Sequence, residues 1–179
     1  MDLNNSETKK NLEIAFSGES KARNLYTYFA GIAKKEGYEE IASVFLELAS
    51  NEKEHAKIWY KYLCGLSDTT SNLKNAISGE EYEYKSMYKS FELKAREEGF
   101  DEIADKFKMV GEIENRHANI FKKFLQYIEN GDVFKNNSGA IMWRCRNCGH
   151  VHFGVESPEK CPVCDHNKSY FERYYDESR

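Results

Sequence analysis

Apolar positions recur at steps of three and four through residues 8 to 36. Leu12, Phe16, Glu19, Arg23, Tyr26, Ala30 and Ala33 share one stripe, with Glu19 set inside it. This spacing predicts one long helix, ended by Gly37, a residue that takes positive φ at low cost. A second helix follows almost at once. Glu39 and Glu40 stand in its first turn, where the helix dipole favours negative charge. Its stripe runs Ile41, Phe45, Leu48, Glu52, His55, Trp59 and Tyr62, which places Glu52 and His55 on the inward face. Gly65 to Ser78 is rich in Ser, Thr, Asn and Asp and reads as a connection, long enough for a bundle with one crossover. A third helix carries Glu80, Glu83, Met87 and Phe91 on one face and stops near Gly99. A fourth carries Ile103, Phe107, Val110, Glu114, His117, Phe121, Phe124 and Ile128, and Gly131 closes it.

The second pair of helices repeats the first. Lys35-Glu36-Gly37-Tyr38 answers Glu97-Glu98-Gly99-Phe100, and Ile41-Ala42 answers Ile103-Ala104, both at an offset of 62. Gly18-Glu19, however, answers Gly79-Glu80 at an offset of 61. One extra residue has entered the third helix between Glu80 and about Met87. A helix absorbs a single insertion as a π-bulge, and such bulges cluster at functional sites.

Composition divides the chain in two. Both prolines and four of the five cysteines lie near the C-terminus, and the first 130 residues hold no proline, as long uninterrupted helices require. The expected division is a helical domain over 1–136 and a small metal domain over 137–179. Net charge is −4. Residues from 140 onward balance six basic against six acidic side chains, and neither part has the basic excess that nucleic-acid binding relies on. The polar N-terminus lacks the apolar run of a signal peptide, and no stretch approaches the ~20 apolar residues of a membrane span. The expected compartment is the cytoplasm, where close-set cysteines are more often metal ligands than disulfides.

The chemistry lies on the inward stripes. Glu52-Lys53-Glu54-His55 and Glu114-Asn115-Arg116-His117 stand 62 residues apart, and these are the only histidines before residue 150. Each tetrad places a carboxylate and an imidazole on one helix face. With Glu19, Glu80 and Glu83 they put five carboxylates and two imidazoles where a core should be. Uncompensated, these groups would repel one another or take up protons. Two ferrous ions bring four positive charges and two ferric ions six. This mixture of oxygen and nitrogen donors suits iron or manganese better than calcium. A four-helix bundle holds two metal ions with a Glu from each of two helices and a Glu-x-x-His from each of the others. Tyr26 and Tyr88 lie on or beside the same face. Each is either aromatic packing or a hydroxyl that orients a ligand carboxylate. Cys64 is a lone thiol at a helix end and reads as packing.

The C-terminal stretch follows a polar linker, Asn130 to Gly139. Cys145-Arg146-Asn147-Cys148 and Cys161-Pro162-Val163-Cys164 make two Cys-x-x-Cys pairs, the signature of a tetrahedral thiolate site. Some ~40 residues cannot bury enough apolar surface to fold alone, so a metal is needed as a staple. Trp143, Phe153, Tyr170 and Phe171 are expected to form its apolar cluster. Four thiolates accept zinc or iron alike. His150, His152 and His166 are expected at the surface, since the cysteines complete the shell.

The whole chain resembles the rubrerythrins, a ferritin-like di-iron bundle followed by a rubredoxin-like domain. The resemblance rests on Gly18-Glu19-Ser20-Lys21-Ala22-Arg23, the two Glu-x-x-His tetrads, Gly79-Glu80-Glu81-Tyr82-Glu83 and the paired knuckles. The first three fit several ferritin-like proteins; Glu83 and the tail narrow the match. The implied fold is an all-α four-helix bundle with a small β-rich C-terminal metal domain. The resemblance implies that Glu52 and Glu114 bridge two irons, that Glu19 and Glu80 are terminal carboxylates, and that His55 and His117 are nitrogen ligands. It also implies that Glu83 is an additional ligand, one iron moving between Glu83 and His55 with oxidation state. Cys145, Cys148, Cys161 and Cys164 match the rubredoxin iron ligands, and Tyr26 and Tyr88 match tyrosines near the cluster.

The implied activity is a peroxidase that reduces hydrogen peroxide to water in oxidative-stress protection. The tail iron would return electrons, ultimately from NAD(P)H through a separate reductase or a rubredoxin. No Gly-x-Gly-x-x-Gly fingerprint occurs here, so the reductase must be another protein. From His117 to Glu129 is about 18 Å along the helix, and the family brings one chain's tail to the other chain's bundle in a head-to-tail homodimer. Two other classes remain open: a ferroxidase or iron-handling ferritin-like protein, and a zinc-ribbon interaction protein whose bundle is a scaffold.

Overall fold

The computed structural model describes residues 2–63 and 65–175. Cys64 lies outside them. The chain divides into two compact units, Met1–Ser67 and Asp68–Arg179.

The first unit is a helical hairpin of α1 (Glu7–Lys35) and α2 (Glu39–Leu63). Ser6 starts α1 by accepting a hydrogen bond from the Lys9 backbone N–H at 3.1 Å. Gly37, at φ 85°, reverses the chain, and the Tyr38 N–H donates to the Ala33 carbonyl at 2.9 Å. Ala30, Ala33 and Ala42 are buried where the two helices approach. Small side chains are what such close approach requires.

The second unit opens with α3 (Thr69–Tyr82), a π-helical turn (Glu83–Met87) and α4 (Tyr88–Glu97), which run on as one rod. The Tyr88 N–H donates to the Glu83 carbonyl, the i→i+5 bond of a π turn. The bulge expected from the broken repeat is therefore present. α5 (Asp101–Glu129) returns alongside. The repeat is equally plain in three dimensions. Gly99 takes φ 80°, the Phe100 N–H donates to the Ala95 carbonyl at 2.8 Å, and Ala95 and Ala104 are buried like Ala33 and Ala42.

The connection read as Gly65–Ser78 is far shorter, because α3 begins at Thr69. Asp68 caps that helix by accepting from the Ser71 N–H at 2.8 Å. The polar residues taken for loop form the first turns of α3.

The rest of the second unit is a three-stranded antiparallel sheet in the order β2-β1-β3, from β1 (Ile141–Cys145), β2 (Val151–Gly154) and β3 (Phe171–Tyr174). Trp143 is fully buried, donates from Nε1 to the Gly154 carbonyl at 3.0 Å, and packs with Cys145, Cys161 and Phe171. Phe153 and Tyr170 do not join this cluster; they are 71% and 43% exposed. β2 is an edge strand whose alternation turns Phe153 outward. Tyr170 instead lies edge-on to His166, with ring centroids 4.3 Å apart. His150, His152 and His166, expected at the surface, are half-buried.

Arg173 fastens this domain to its own linker. Its guanidinium donates to Asn136 Oδ1 at 3.0 Å and to the carbonyls of Asp132 and Lys135 at 2.7 and 2.6 Å. The same group lies 4.2 Å from the ring centroid of Tyr127, near the end of α5. No helix among the described residues is long and apolar enough to cross a membrane.

Candidate metal centres

Each helical unit carries one acidic triad. In the first, Glu19 of α1 meets Glu52 and His55 of α2, with one donor atom from each residue within 4.8 Å of the others. The three-residue spacing in α2 brings His55 Nδ1 to 3.0 Å from Glu52 Oε2. A hydrogen bond between the two carboxyl groups raises the proton affinity of Glu19 and lowers that of Glu52. The Trp59 indole Nε1, buried without a hydrogen-bond partner, lies near enough to Glu19 to favour its carboxylate. Spacing alone assigns Trp59 no role beyond the apolar stripe. Its place four residues beyond His55 on the same stripe was the available signal.

The second triad is the repeat of the first. Glu80 of α3 meets Glu114 and His117 of α5 within the same 4.8 Å limit. His117 Nδ1 lies 2.7 Å from Glu114 Oε2 and 3.5 Å from Glu80 Oε2. Burial, then the charge of Glu114, raises the proton affinity of Glu80. Glu83 opens the π turn and stands outside this triad, yet its charge also pushes Glu80 upward.

Tyr88 sits one residue beyond the π turn. Burial, followed by the charges of Glu114 and Glu83, holds its phenol above the usual tyrosine range. It therefore stays protonated, as a hydroxyl must to donate to a carboxylate. Tyr26 is in aromatic packing, with ring centroids 6.4 and 6.1 Å from Phe29 and Phe45.

Gly111 of α5 is buried against Tyr88, and a Cβ there would lie 3.2 Å from Tyr88 Cβ. Gly111→Ala therefore displaces the tyrosine or strains α5. The expected cost is about 1–3 kcal/mol, read as a lowered Tm. An unchanged Tm would show that Tyr88 yields freely.

The third cluster is a cage of four sulfurs. Cys145 and Cys164 Sγ lie 3.7 Å apart, and Cys148 and Cys161 Sγ lie 3.6 Å apart. Thiolates bound at ~2.3 Å around a tetrahedral metal stand ~3.8 Å from one another, so the donors already have the geometry of a four-sulfur site. Two matching knuckles build it. The Cys145 N–H donates to the His150 carbonyl and the Cys161 N–H to the His166 carbonyl, each at 2.8 Å. Gly149 at φ 79° and Asp165 at φ 61° turn the chain at equivalent points. The His166 backbone N–H brings Cys164 down to about 6. The His150 N–H favours the Cys148 thiolate in the same way, but proton sharing with Cys164, together with burial, holds Cys148 up to about 12. A cation entering the cage displaces that shared proton.

The donor sets suit the ions expected of them. Carboxylate oxygens with imidazole nitrogen suit iron, and four thiolates suit iron or zinc. Among the described residues, the basic groups within ion-pair distance of Glu52, Glu80 and Glu114 are His55 and His117 alone. These carboxylates thus lack a lysine or arginine to balance them.

Residues 10–125 match the family model for rubrerythrin, and residues 143–172 match that for the rubrerythrin rubredoxin-like domain. The chain belongs to the rubrerythrin family. It is 45% identical to the putative rubrerythrin of Methanocaldococcus jannaschii, over 95% of this chain and 94% of that one. It is also 45% identical to the rubrerythrin of Nitratidesulfovibrio vulgaris, over 95% of each chain, and 43% identical to that of Clostridium perfringens, again over 95% of each. Among solved structures, nigerythrin in its partially reduced state is 29% identical, covers 96% of this chain and 91% of its own, and has a TM-score of 0.37. As in rubrerythrins, the chain carries a di-iron carboxylate site made from its Glu/His clusters and a four-cysteine rubredoxin-like site. The ferritin-like bundle with a small C-terminal metal domain, read from the sequence, is the architecture of this family.

Proposed function

We propose that this protein is a non-haem di-iron peroxidase that reduces hydrogen peroxide to water. The observation that carries the reading is the asymmetry of the repeat. Glu83 opens a π turn beside the second triad, and the α1–α2 triad has no counterpart to it. A site for iron storage or simple iron binding has no need of that extra carboxylate. In this reading two ions would be held by Glu52 and Glu114 as shared carboxylates, by Glu19 and Glu80 as terminal ones, and by the nitrogens of His55 and His117. Glu83 would be the additional ligand, exchanging with His55, and His117 would be the fixed imidazole. Tyr88, protonated beside the charges of Glu114 and Glu83, would donate its one hydrogen to one of these carboxylates and orient it. A di-iron centre held there would supply the two electrons that, with two protons from solvent, reduce one hydrogen peroxide to two waters.

A metal held by Cys145, Cys148, Cys161 and Cys164 would pass on electrons from a separate NAD(P)H-dependent reductase or rubredoxin in the cytoplasm. The domain boundary falls at 136/137. Tyr127, which Arg173 covers, lies ten residues or ~15 Å past His117 along α5. That separation supports a head-to-tail homodimer, in which the tail serves the bundle of the other protomer.

Stopped-flow oxidation of the diferrous protein is expected to be much faster with hydrogen peroxide than with dioxygen. Faster reaction with dioxygen overturns the assignment in favour of ferroxidase chemistry. Glu83→Ala is expected to retain bundle iron and to lose at least ~10-fold in peroxide turnover. Unchanged turnover removes Glu83 from the mechanism. A red oxidised protein indicates iron in the tail. A colourless tail with bound zinc favours the interaction-protein reading.

A further inference from the structure

Each triad supplies three donors to a centre that needs both, and the chain between them is short. A ferritin-like bundle has one long crossover, joining its second and third helices. The other joins here are tight turns at Gly37 and Gly99, so α1 is antiparallel to α2 and the α3–α4 rod is antiparallel to α5. With a crossover between them, α2 and α3 run parallel. The end of α2 and the start of α3 then belong at opposite ends of the bundle.

The distances follow from helix rise. Leu63 is eight residues beyond His55, or ~12 Å past the ligand level, and Thr69 is eleven residues before Glu80, or ~16 Å on the far side. A crossover within one chain must therefore cover ~28 Å along the axis. Residues 64–68 provide six Cα-to-Cα steps, which reach only ~20–22 Å when fully extended. Gly65 at φ 71° and the Asp68 cap shorten them further. One chain cannot close the site on itself.

The helix faces that would be covered are uncovered in the single chain. Ile41 of α2 is 51% exposed, and its repeat partner Ile103 of α5 is 50% exposed. Leu48, on the stripe that carries Glu52, is also exposed, as is Phe124 on the stripe of Glu114. A second copy of this chain presents the matching face with the missing three donors.

Resting on the di-iron reading above, we propose that each di-iron centre is shared between two copies. α1 and α2 of one protomer contribute Glu19, Glu52 and His55. The α3–α5 helices of its partner contribute Glu80, Glu83, Glu114 and His117. The exchange is reciprocal, so a dimer holds two such centres.

Co-expression tests this by complementation. One chain carries Glu52→Ala with His55→Ala, the other Glu114→Ala with His117→Ala, and different tags allow the mixed dimer to be isolated. With exchange, one of its centres has every ligand intact and the other lacks four. Bundle iron is then expected at about half the wild-type level in the mixed dimer and near zero in either variant alone. Without exchange, every centre lacks two ligands, and a mixed dimer as empty as the variants overturns the proposal.

A second measurement uses the wild-type chain and no metal readout. Unlabelled and 15N-labelled protein are unfolded, refolded together and treated with a lysine cross-linker. In an equal mixture about half of the dimers carry both labels, so about half of the peptide pairs joining α1–α2 to α3–α5 are expected to be mixed-label. If every such pair carries a single label, the proposal is overturned. Because this second result does not depend on iron, mixed-label pairs in a protein that takes up no bundle iron would refute the di-iron reading and leave the exchange standing.

Discussion

Glu114→Ala is expected to empty the bundle of iron while leaving the helices in place. Glu114 is the one carboxylate that touches His117, pushes on Glu80 and raises Tyr88. Loss of an outer partner of a metal ligand typically costs 10–100-fold in affinity, and loss of the ligand itself should cost at least ~100-fold. The metal-free protein should respond in the opposite direction. Glu80 holds its proton above the ordinary carboxylate range, so its ionisation opposes folding at neutral pH. That opposition vanishes as the pH falls below the usual carboxylate value. Without Glu114 the metal-free variant should therefore match or exceed the metal-free wild type in Tm near pH 7, with the gap closing in acid. Iron analysis and thermal unfolding at two pH values check both halves. Wild-type iron content in the variant would remove Glu114 from the site.

Cys161→Ser is expected to unfold the C-terminal domain alone. Cys161 is fully buried beside Trp143, Cys145 and Phe171, and that cluster is nearly all the core these residues possess. Metal binding to structural thiolate sites contributes on the order of 10 kcal/mol to folding, more than so small a core supplies. Serine removes a ligand and buries a hydroxyl in its place. In a Trp59→Phe background, the Trp143 emission should shift to the red as its indole N–H loses the Gly154 carbonyl. Bundle iron should be unaffected, and a pre-reduced bundle should still complete one turnover without sustaining more. An unshifted Trp143 emission would show that the domain folds without its full thiolate set.

The spans of α1, α2 and α5, the π turn, the two Glu-x-x-His faces and the two knuckles were legible in the sequence. Each depends on residues close together in the chain. The offset of 61 at Glu19 and Glu80, against 62 elsewhere, located an insertion that a helix has one common way to absorb. The start of α3 was less legible, because Thr69–Ser71 have loop composition and only the geometry of the Asp68 cap commits them to a helix. Phe153 has the composition of a core residue, but its exposure is decided by which edge β2 occupies.

The sequence alone determined which carboxylates, imidazoles and thiols fall together on each helix face and knuckle, since spacing and helical period are local properties of the backbone. Tertiary structure decided what surrounds them. It set Tyr88 over Gly111 and brought the unpartnered indole of Trp59 close to Glu19. It also placed Arg173 across the linker and Tyr127. Those arrangements arise from packing between segments far apart in the chain, and no periodicity within one segment encodes them.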